Sequence, residues 1–448
     1  MVMEEMQINP LAKSFNMASL IKFAFPSMIM MLFMGFYTIT DTVFVARFVG
    51  TNALSSINIV CPVINIIVGM GTMLGAGGSA VVAKKMGSGR MDGARSSFTL
   101  IITTGIITGL IITVMGLLFL NGIVWGLGAS KVLFPYCRDY LMIQLIFAVP
   151  GIMQVLYQNL FVTAGKPVLG LVLSVLAGIA NIVFDYIFIV IMQMGIKGAA
   201  LGTGTGYLIP AITGTVFFLA GRSGLYFCKF KMDAPVLLKS CSNGASEMVS
   251  QLSAAITTFM FNAAMMELLG EDGVAAITVI IYSGFLLTAL YIGFSMGVSP
   301  VISYNYGSGN IRQLKKVVRI CFCFVTVISV FIFLFSFLAG ESIASVFAGN
   351  NHNVFSITEE GFSIYSFSFL FSGYNIFSSA LFTALSNGKI SAVISFLRTF
   401  GFITVFLLVL PEFWQVKGVW SAVPFAEFLT FMLAIYLVYK YYKHYNYL

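Results

Sequence analysis

The stretch GFYTITDTVFVARFVG, residues 35–50, places one carboxylate, Asp41, beside Thr38, Thr40 and Thr42 in an otherwise apolar run. A second carboxylate, Asp185, stands in the apolar run NIVFDYIFI, residues 181–189. A charged side chain at the centre of a bilayer costs roughly 2.5–3.5 kcal/mol on insertion scales, so a compensating partner is expected. Asn181 precedes Asp185 by one helical turn and shares its face. Thr203 lies on the next apolar run, and Gln158 and Asn159 end the one before. Carboxylates with amide and hydroxyl oxygens form a hard donor set suited to Na⁺. They equally suit a proton, which neighbouring carboxylates in a low dielectric would share. The set thus reads as a cation site at Asp41 and Asp185, with no other metal expected. The plainer alternatives are an Asp41 hydrated at the interface and a Thr203 that serves close helix packing.

The second half of the chain is charged differently. Glu247 opens an apolar run and either lines the inner mouth of a cavity or sits as an N-terminal helix carboxylate favoured by the helix dipole. Arg398 follows Lys389 by nine residues, and Glu427 follows Lys417 by ten, on consecutive runs of opposite direction. Both reach the same depth, so they are expected to form a structural ion pair. Methionine and aromatic residues are abundant, with 24 Met, 44 Phe and 19 Tyr. Methionine adapts to varied shapes and aromatic faces attract organic cations. Most of these residues must face lipid or pack helices. Met34 and Tyr37, in MIMMLFMGFYT at 28–38, are the best candidates for lining a substrate cavity, because Asp41 is on the same helix.

These residues need a scaffold, and composition bounds it. Of 448 residues, 59% are hydrophobic and 9% charged. A soluble domain carries about 25% charged residues, so most of this surface must face lipid. Twelve apolar stretches are long enough to cross a membrane: 17–45, 56–83, 98–120, 139–164, 167–192, 198–220, 245–269, 275–303, 317–339, 361–386, 389–411 and 418–440. Alternate connections, Arg222 included, gather eighteen Lys and Arg on one side against five on the other, with Arg398 inside a span. The positive-inside rule then puts both termini in the cytoplasm of a multi-pass plasma-membrane protein. Asp41 lies nineteen residues after Lys22, and Asp185 nineteen after Lys166, so each is about 28 Å along its helix from its inner anchor. The N-terminal stretch MVMEEMQINPLAKS lacks a signal-peptide pattern. The net charge of +8 does not indicate nucleic acid. Six scattered cysteines and two histidines make neither a disulfide framework nor a metal centre.

A shift of 220 residues superimposes landmarks. VGTNALSSINIV at 49–60 meets LGEDGVAAITVI at 269–280, GSG at 87–89 meets GSG at 307–309, and IKGAA at 196–200 meets VKGVW at 416–420. The repeat holds six helices, and an even number returns the chain to its starting side. The expected fold is therefore an all-α membrane protein of twelve transmembrane helices, in two six-helix lobes related by a pseudo-two-fold axis along the membrane normal. The N-terminal lobe spans 1–220, a polar cytoplasmic linker 221–244 and the C-terminal lobe 245–448. Such an architecture suggests a central cavity and alternating access.

The chain resembles the multidrug and toxic compound extrusion (MATE) family over nearly its whole length. The resemblance rests on DTVFVARFVGTNALSSI at 41–57, GSAVVAKKMGSGRMDGAR at 78–95, NIVFDYIFI at 181–189 followed by MGIKGAALGT, and SYNYGSG at 303–309. It implies a two-lobed twelve-helix fold and export of organic cations as H⁺ or Na⁺ enters. It implies a first-lobe cation site at Asp41, Asn181, Asp185 and Thr203, with a fourth-helix amide at Gln158 or Asn159. A second site in some relatives uses a seventh-helix glutamate, where Glu247 falls, and a tenth-helix aspartate. No acid occurs at 361–388 to supply the latter. Many relatives carry an arginine where this chain reads LFVTAGKP.

The expected function is a secondary active antiporter that exports lipophilic organic cations by alternating access, as a monomer in the lipid bilayer, without a cofactor. A flippase of lipid-linked glycans would need a basic groove, and Arg398 is the one basic candidate. A non-transporting receptor or anchor would need neither buried carboxylates nor lobe symmetry. An enzyme is not expected, because no Ser-His, His-His or Asp-Asp pair has helix spacing and no zinc motif occurs.

Overall fold

In a computed structural model the chain forms an all-α bundle. Residues 10–221, 223–348 and 352–447 are described, so residues 1–9, Arg222, 349–351 and Leu448 lie outside them. Twelve crossings follow in order. The first six are α1 (Met17–Val49), α2 (Thr51–Gly87), α3 (Met91–Leu118), α4 (Phe134–Ile146 and Ala148–Thr163), α5 (Pro167–Ile191) and α6 (Ile196–Leu219). The long helix Ala234–Gly307 is two crossings, α7 and α8, divided at Gly270, whose φ of 67° and ψ of −148° are not helical. The remainder are α9 (Ile311–Ala348), α10 (His352–Tyr365 and Phe369–Ala384), α11 (Gly388–Trp414) and α12 (Val416–Tyr445). Continuous helices satisfy their backbone groups internally, as lipid requires.

Local sequence sets the ends and bends. Asn16 caps α1: its Oδ1 accepts from the Ser19 N–H at 2.8 Å, and Ser19 Oγ accepts from the Asn16 N–H at 2.9 Å. α4 bends by 55° at Phe147. Pro150 follows, and a proline has no N–H to continue the helical ladder. α7 begins at Ala234 rather than at 245. Asp233 accepts from the Val236 N–H at 3.2 Å, and Pro235 occupies the first turn, so the end of the expected linker is already helical. The rest of that connection lies against α3, where Arg95 Nε donates to Gly224 O at 3.1 Å and the guanidinium stacks over the Tyr226 ring at 4.2 Å.

The halves repeat in backbone as well as in sequence. Gly50 and Gly270 take positive φ of 111° and 67° where the first and second helices of each half meet. Gly195 and Gln415 take φ of 57° and 48° before the sixth. Both pairs are 220 residues apart. Even an exposed ion pair recurs: Lys197 to Asp139 at 3.3 Å, and Lys417 to Glu360 at 3.3 Å. The chain is thus two six-helix lobes, each built on the same turns.

The lobes meet through small residues near the end that bears Lys84, Lys85 and the Lys440–Lys443 tail, here termed the basic end. A Cβ on Gly77 would overlap Ser240 O, one on Gly244 would overlap Met73 O, and Gly87 and Gly307 face the Tyr304 and Lys84 carbonyls in the same way. α1 meets α8 where a Cβ on Gly293 would stand 2.6 Å from Met28 Cα and one on Gly297 2.8 Å from Ala24 Cα. Lys84 Nζ sits 4.3 Å over the Tyr306 ring, and Gln313 Nε2 donates to Phe15 O at 3.2 Å across the lobes. All of these approaches lie between the basic end and the middle of α1, so the molecule is closed at the basic end. Backbones can come this near only without side chains between them. Gly77→Val is expected to hold the lobes apart here. In a single-cysteine background, the half-buried Cys241 should then react several-fold faster with a water-soluble maleimide. An unchanged rate would show that the glycine contact does not keep this end closed.

Candidate functional site

α1, α5 and α6 bring the first-lobe acids together. Asp185 is fully buried and its two carboxylate oxygens have no hydrogen-bond partner. Asp41 is half-buried, with its Oδ1 enclosed and unpartnered. The two carboxyl groups stand close enough to act on each other electrostatically, and like charges this near favour a shared proton or cation. Asn181, 3% exposed, joins them with both side-chain polar atoms unpartnered. No basic side chain among the described residues forms an ion pair with either acid. An unsatisfied buried polar atom costs about 1–3 kcal/mol, more when charged. This cluster is therefore incomplete as a structural element.

A small cavity of about 10 Å³ adjoins the cluster, lined by Tyr37, Gln154, Ala177, Asn181, Thr203, Gly206 and Tyr207. A space of this size holds about one water-sized particle. It has no room for an organic molecule. Thr203 Oγ1 donates to Ala199 O at 3.1 Å, which leaves its lone pairs for the cavity. Gly202 fits against the acid: a Cβ there would overlap Asp185 Oδ1. Gly202→Ala is expected to push the carboxylate aside and weaken the transport expected from the sequence about ten-fold, with the melting temperature shifted by no more than a few degrees. Transport at the unsubstituted level would show that the position of the carboxylate is not critical.

The backbone beside three of the intramembrane charges is unusual. A π-helical turn, Val45–Val49, begins four residues after Asp41, another, Tyr186–Ile191, begins directly after Asp185, and a third, Leu397–Gly401, contains Arg398. Such wide turns re-aim side chains and recur at functional sites.

The fourth-helix amides do not reach the acids. Gln158 Nε2 donates to Ser174 Oγ at 3.1 Å and to Met34 Sδ at 3.4 Å, and Asn159 Nδ2 donates to Val155 O at 3.1 Å while facing Gly75. One turn earlier, Gln154 takes the place beside Tyr37. Met34 is correspondingly turned to Gln158 and lines neither cavity. Tyr140 is nearly buried, and Asp41, Asp185 and Tyr207 are close enough to act on it electrostatically. Gln154, Tyr140 and Tyr207 are uncharged, and nothing in their spacing separates them from ordinary packing residues.

The larger cavity, about 210 Å³, lies in the second lobe, lined among others by Thr257, Phe261, Tyr365, Ser368, Arg398 and Glu427. Arg398 Nε donates to Glu427 Oε1 at 2.8 Å, and Asn375 Nδ2 donates to Glu427 Oε2 at 2.6 Å. Glu247, half-buried on α7, has no ion pair within 4 Å and is not brought to the first-lobe acids. Among the described residues no group of three or more His, Cys, Asp or Glu side chains could hold a metal ion.

Comparison with known proteins agrees with this layout. A family model described as MatE matches residues 26–187 and again 248–409. Multidrug export protein MepA of Staphylococcus saprophyticus is 21% identical over 424 residues, covering 94% of this chain and 93% of that protein. The protein of the same name from Staphylococcus haemolyticus is 23% identical, covering 97% and 96%. Among solved structures, an outward-facing multidrug resistance MATE transporter of the MOP superfamily superimposes with a TM-score of 0.92 at 20% identity, over 99% of both chains. A Pyrococcus furiosus MOP superfamily transporter, described as having reversed pocket polarity and a different suggested function, gives 0.90 at 20% identity, again over 99% of both. At such identity these structures support the fold alone.

Proposed function

The chain belongs to the MatE family, and from that premise we propose that it is a secondary active antiporter that exports lipophilic organic cations in exchange for H⁺ or Na⁺. The observation that carries the reading is the pair of half-buried Asp41 and fully buried Asp185, with Asp41 Oδ1 and both Asp185 oxygens unpartnered and no ion pair to either acid among the described residues. Asp41, Asp185, Asn181 and Thr203 would hold the coupling cation. Either ion offsets the like-charge repulsion between the acids. The multidrug export named for the MepA relatives fits the same assignment.

Coupling follows from the course of α1. Its far end carries Asp41, and its near half, at Ala24 and Met28, packs on Gly297 and Gly293 of the other lobe. Binding a cation between Asp41 and Asp185 draws α1 toward α5, and the same rigid helix transmits that shift to the closure at the basic end. An ion moves the equilibrium between two lobe arrangements only through its different affinity for each. The proposal places the protein in the plasma membrane with both termini cytoplasmic, acting as a monomer, so that the closure at the basic end keeps cargo from returning inward.

The test is a reconstituted vesicle loaded with a fluorescent lipophilic cation and given first a pH gradient alone, then a Na⁺ gradient alone. One of the two is expected to drive the dye uphill. Movement that never exceeds equilibration under either gradient would overturn antiport.

A further inference from the structure

The segment that leads into α1 departs from the repeat that shapes the rest of the chain. Residues 230–236 correspond to 10–16 after the 220-residue shift, and they run into α7, which is already helical at Ala234. Pro10–Ala12 instead make one turn of 3-10 helix, Lys13–Asn16 lie outside any helix, and α1 starts only at Met17. The cap at Asn16 suffices to start α1, so the residues before it are held by other contacts.

Those contacts reach both lobes. On the first-lobe side, Pro10 fills the space beside Gly165, in the turn between α4 and α5, where a Cβ would stand 2.6 Å from Pro10 Cγ. On the second-lobe side, the Pro10–Ala12 turn lies against the helix Ala234–Gly307. Gln313, in the first turn of α9, donates Nε2 to Phe15 O at 3.2 Å. Leu11 has no exposed surface and Phe15 is 3% exposed, while Ala12, Lys13 and Ser14 between them are exposed. Gln313 is buried as well, and its backbone N–H donates to Asn310 Oδ1 at 3.1 Å, which fixes this end of α9 against the segment. The glycine contacts at Gly77, Gly87, Gly244 and Gly307 set how near the lobes can come. The segment adds buried apolar side chains and a hydrogen bond that last only while the lobes stay there. Separation at the basic end would pull Gln313 from Phe15, because one belongs to α9 and the other leads into α1, and would wet Leu11.

We propose that residues 10–16 are a strap that latches the two lobes together at the basic end and is released when α1 moves. The inference rests on the alternating-access reading for its purpose, but not for its effect on lobe separation. The Phe15 ring packs edge-on to Phe23 at 5.7 Å, which ties the strap to α1. A shift of α1 that begins at Asp41 therefore reaches Gln313 along one helix.

The test is the distance between spin labels on Arg90→Cys and Arg312→Cys, exposed positions at the basic ends of α3 and α9, in the purified full-length protein freed of its native cysteines. No gradient is involved, so a failure of antiport leaves the result intact. Three variants act on separate contacts. Leu11→Ala removes apolar burial from the seam. Gln313→Leu keeps the side-chain size and removes the donor. Gly165→Asn introduces a residue that tolerates the positive φ at this position and drives its side chain into the place of Pro10. Each is expected to raise the share of molecules with the longer label distance several-fold, with the melting temperature shifted by no more than a few degrees. A distribution unchanged from the parent in all three would overturn the proposal. So would a collapse of the melting temperature with no long-distance population, which would make the segment part of the folded core and not a latch.

Discussion

Asp185→Asn is expected to abolish uphill transport while leaving a folded protein. The exchange keeps side-chain volume and removes one negative charge from a fully buried position. Without that charge the space between α1 and α5 no longer discriminates strongly between occupied and empty states. A loss of about 10- to 100-fold in gradient-driven dye efflux corresponds to about 1.4–2.8 kcal/mol of lost differential ion binding. Stability should move the opposite way. Two carboxylate oxygens now buried without partners give way to a neutral amide, so the melting temperature should hold or rise. Efflux under a gradient and thermal melting of the same preparation separate the two effects. A variant that pumps normally would remove the acid pair from the mechanism. One that merely unfolds would make Asp185 a structural residue.

The second large effect is expected at Arg398 and Glu427. Removing one member of a buried ion pair leaves the other uncompensated, at a cost of about 3–5 kcal/mol. Arg398→Gln should therefore lower the melting temperature by several degrees, because Glu427 keeps only Asn375. Glu427→Gln should do much the same to the guanidinium. Together, the two substitutions leave neutral amides that can bond each other, and most of the stability should return. The charge-reversed pair, Arg398→Glu with Glu427→Arg, should likewise recover part of what each single reversal loses. If the combined variants are as unstable as the worse single one, the attraction between these side chains is not what holds α11 and α12 in register.

Several of these features were legible in the sequence because helices in lipid are rigid and their length is bounded. Counting from Lys22 and Lys166 brought Asp41 and Asp185 to one level, and counting from Lys389 and Lys417 did so for Arg398 and Glu427. The 220-residue shift was readable because turns with special backbone, at Gly50 and Gly270, recur where the chain must reverse. Rotation about each helix axis was not readable. The choice between Gln158 and Asn159 turns on it, and both are bonded elsewhere, while Gln154, one turn earlier, lines the small cavity. Met34 was expected at a cavity on the strength of its helix alone, and its side chain is taken up by Gln158. Gly202 gave no signal, since its role is to be absent beside Asp185. The polar face of the second lobe was equally hidden. Matching depth suggests a pair, but only the hydrogen bonds reveal that Arg398 spends one nitrogen on Glu427 and keeps two.

The closure between the lobes is made of main chain against main chain at Gly77, Gly244, Gly87 and Gly307, far from the second-lobe cavity. Substitutions that reshape the walls of that cavity therefore leave the barrier to passive leak untouched. Under the proposed antiport, tightness against shunting of the driving ion is therefore set apart from the shape of that cavity, which can vary under selection without draining the cell's energy store.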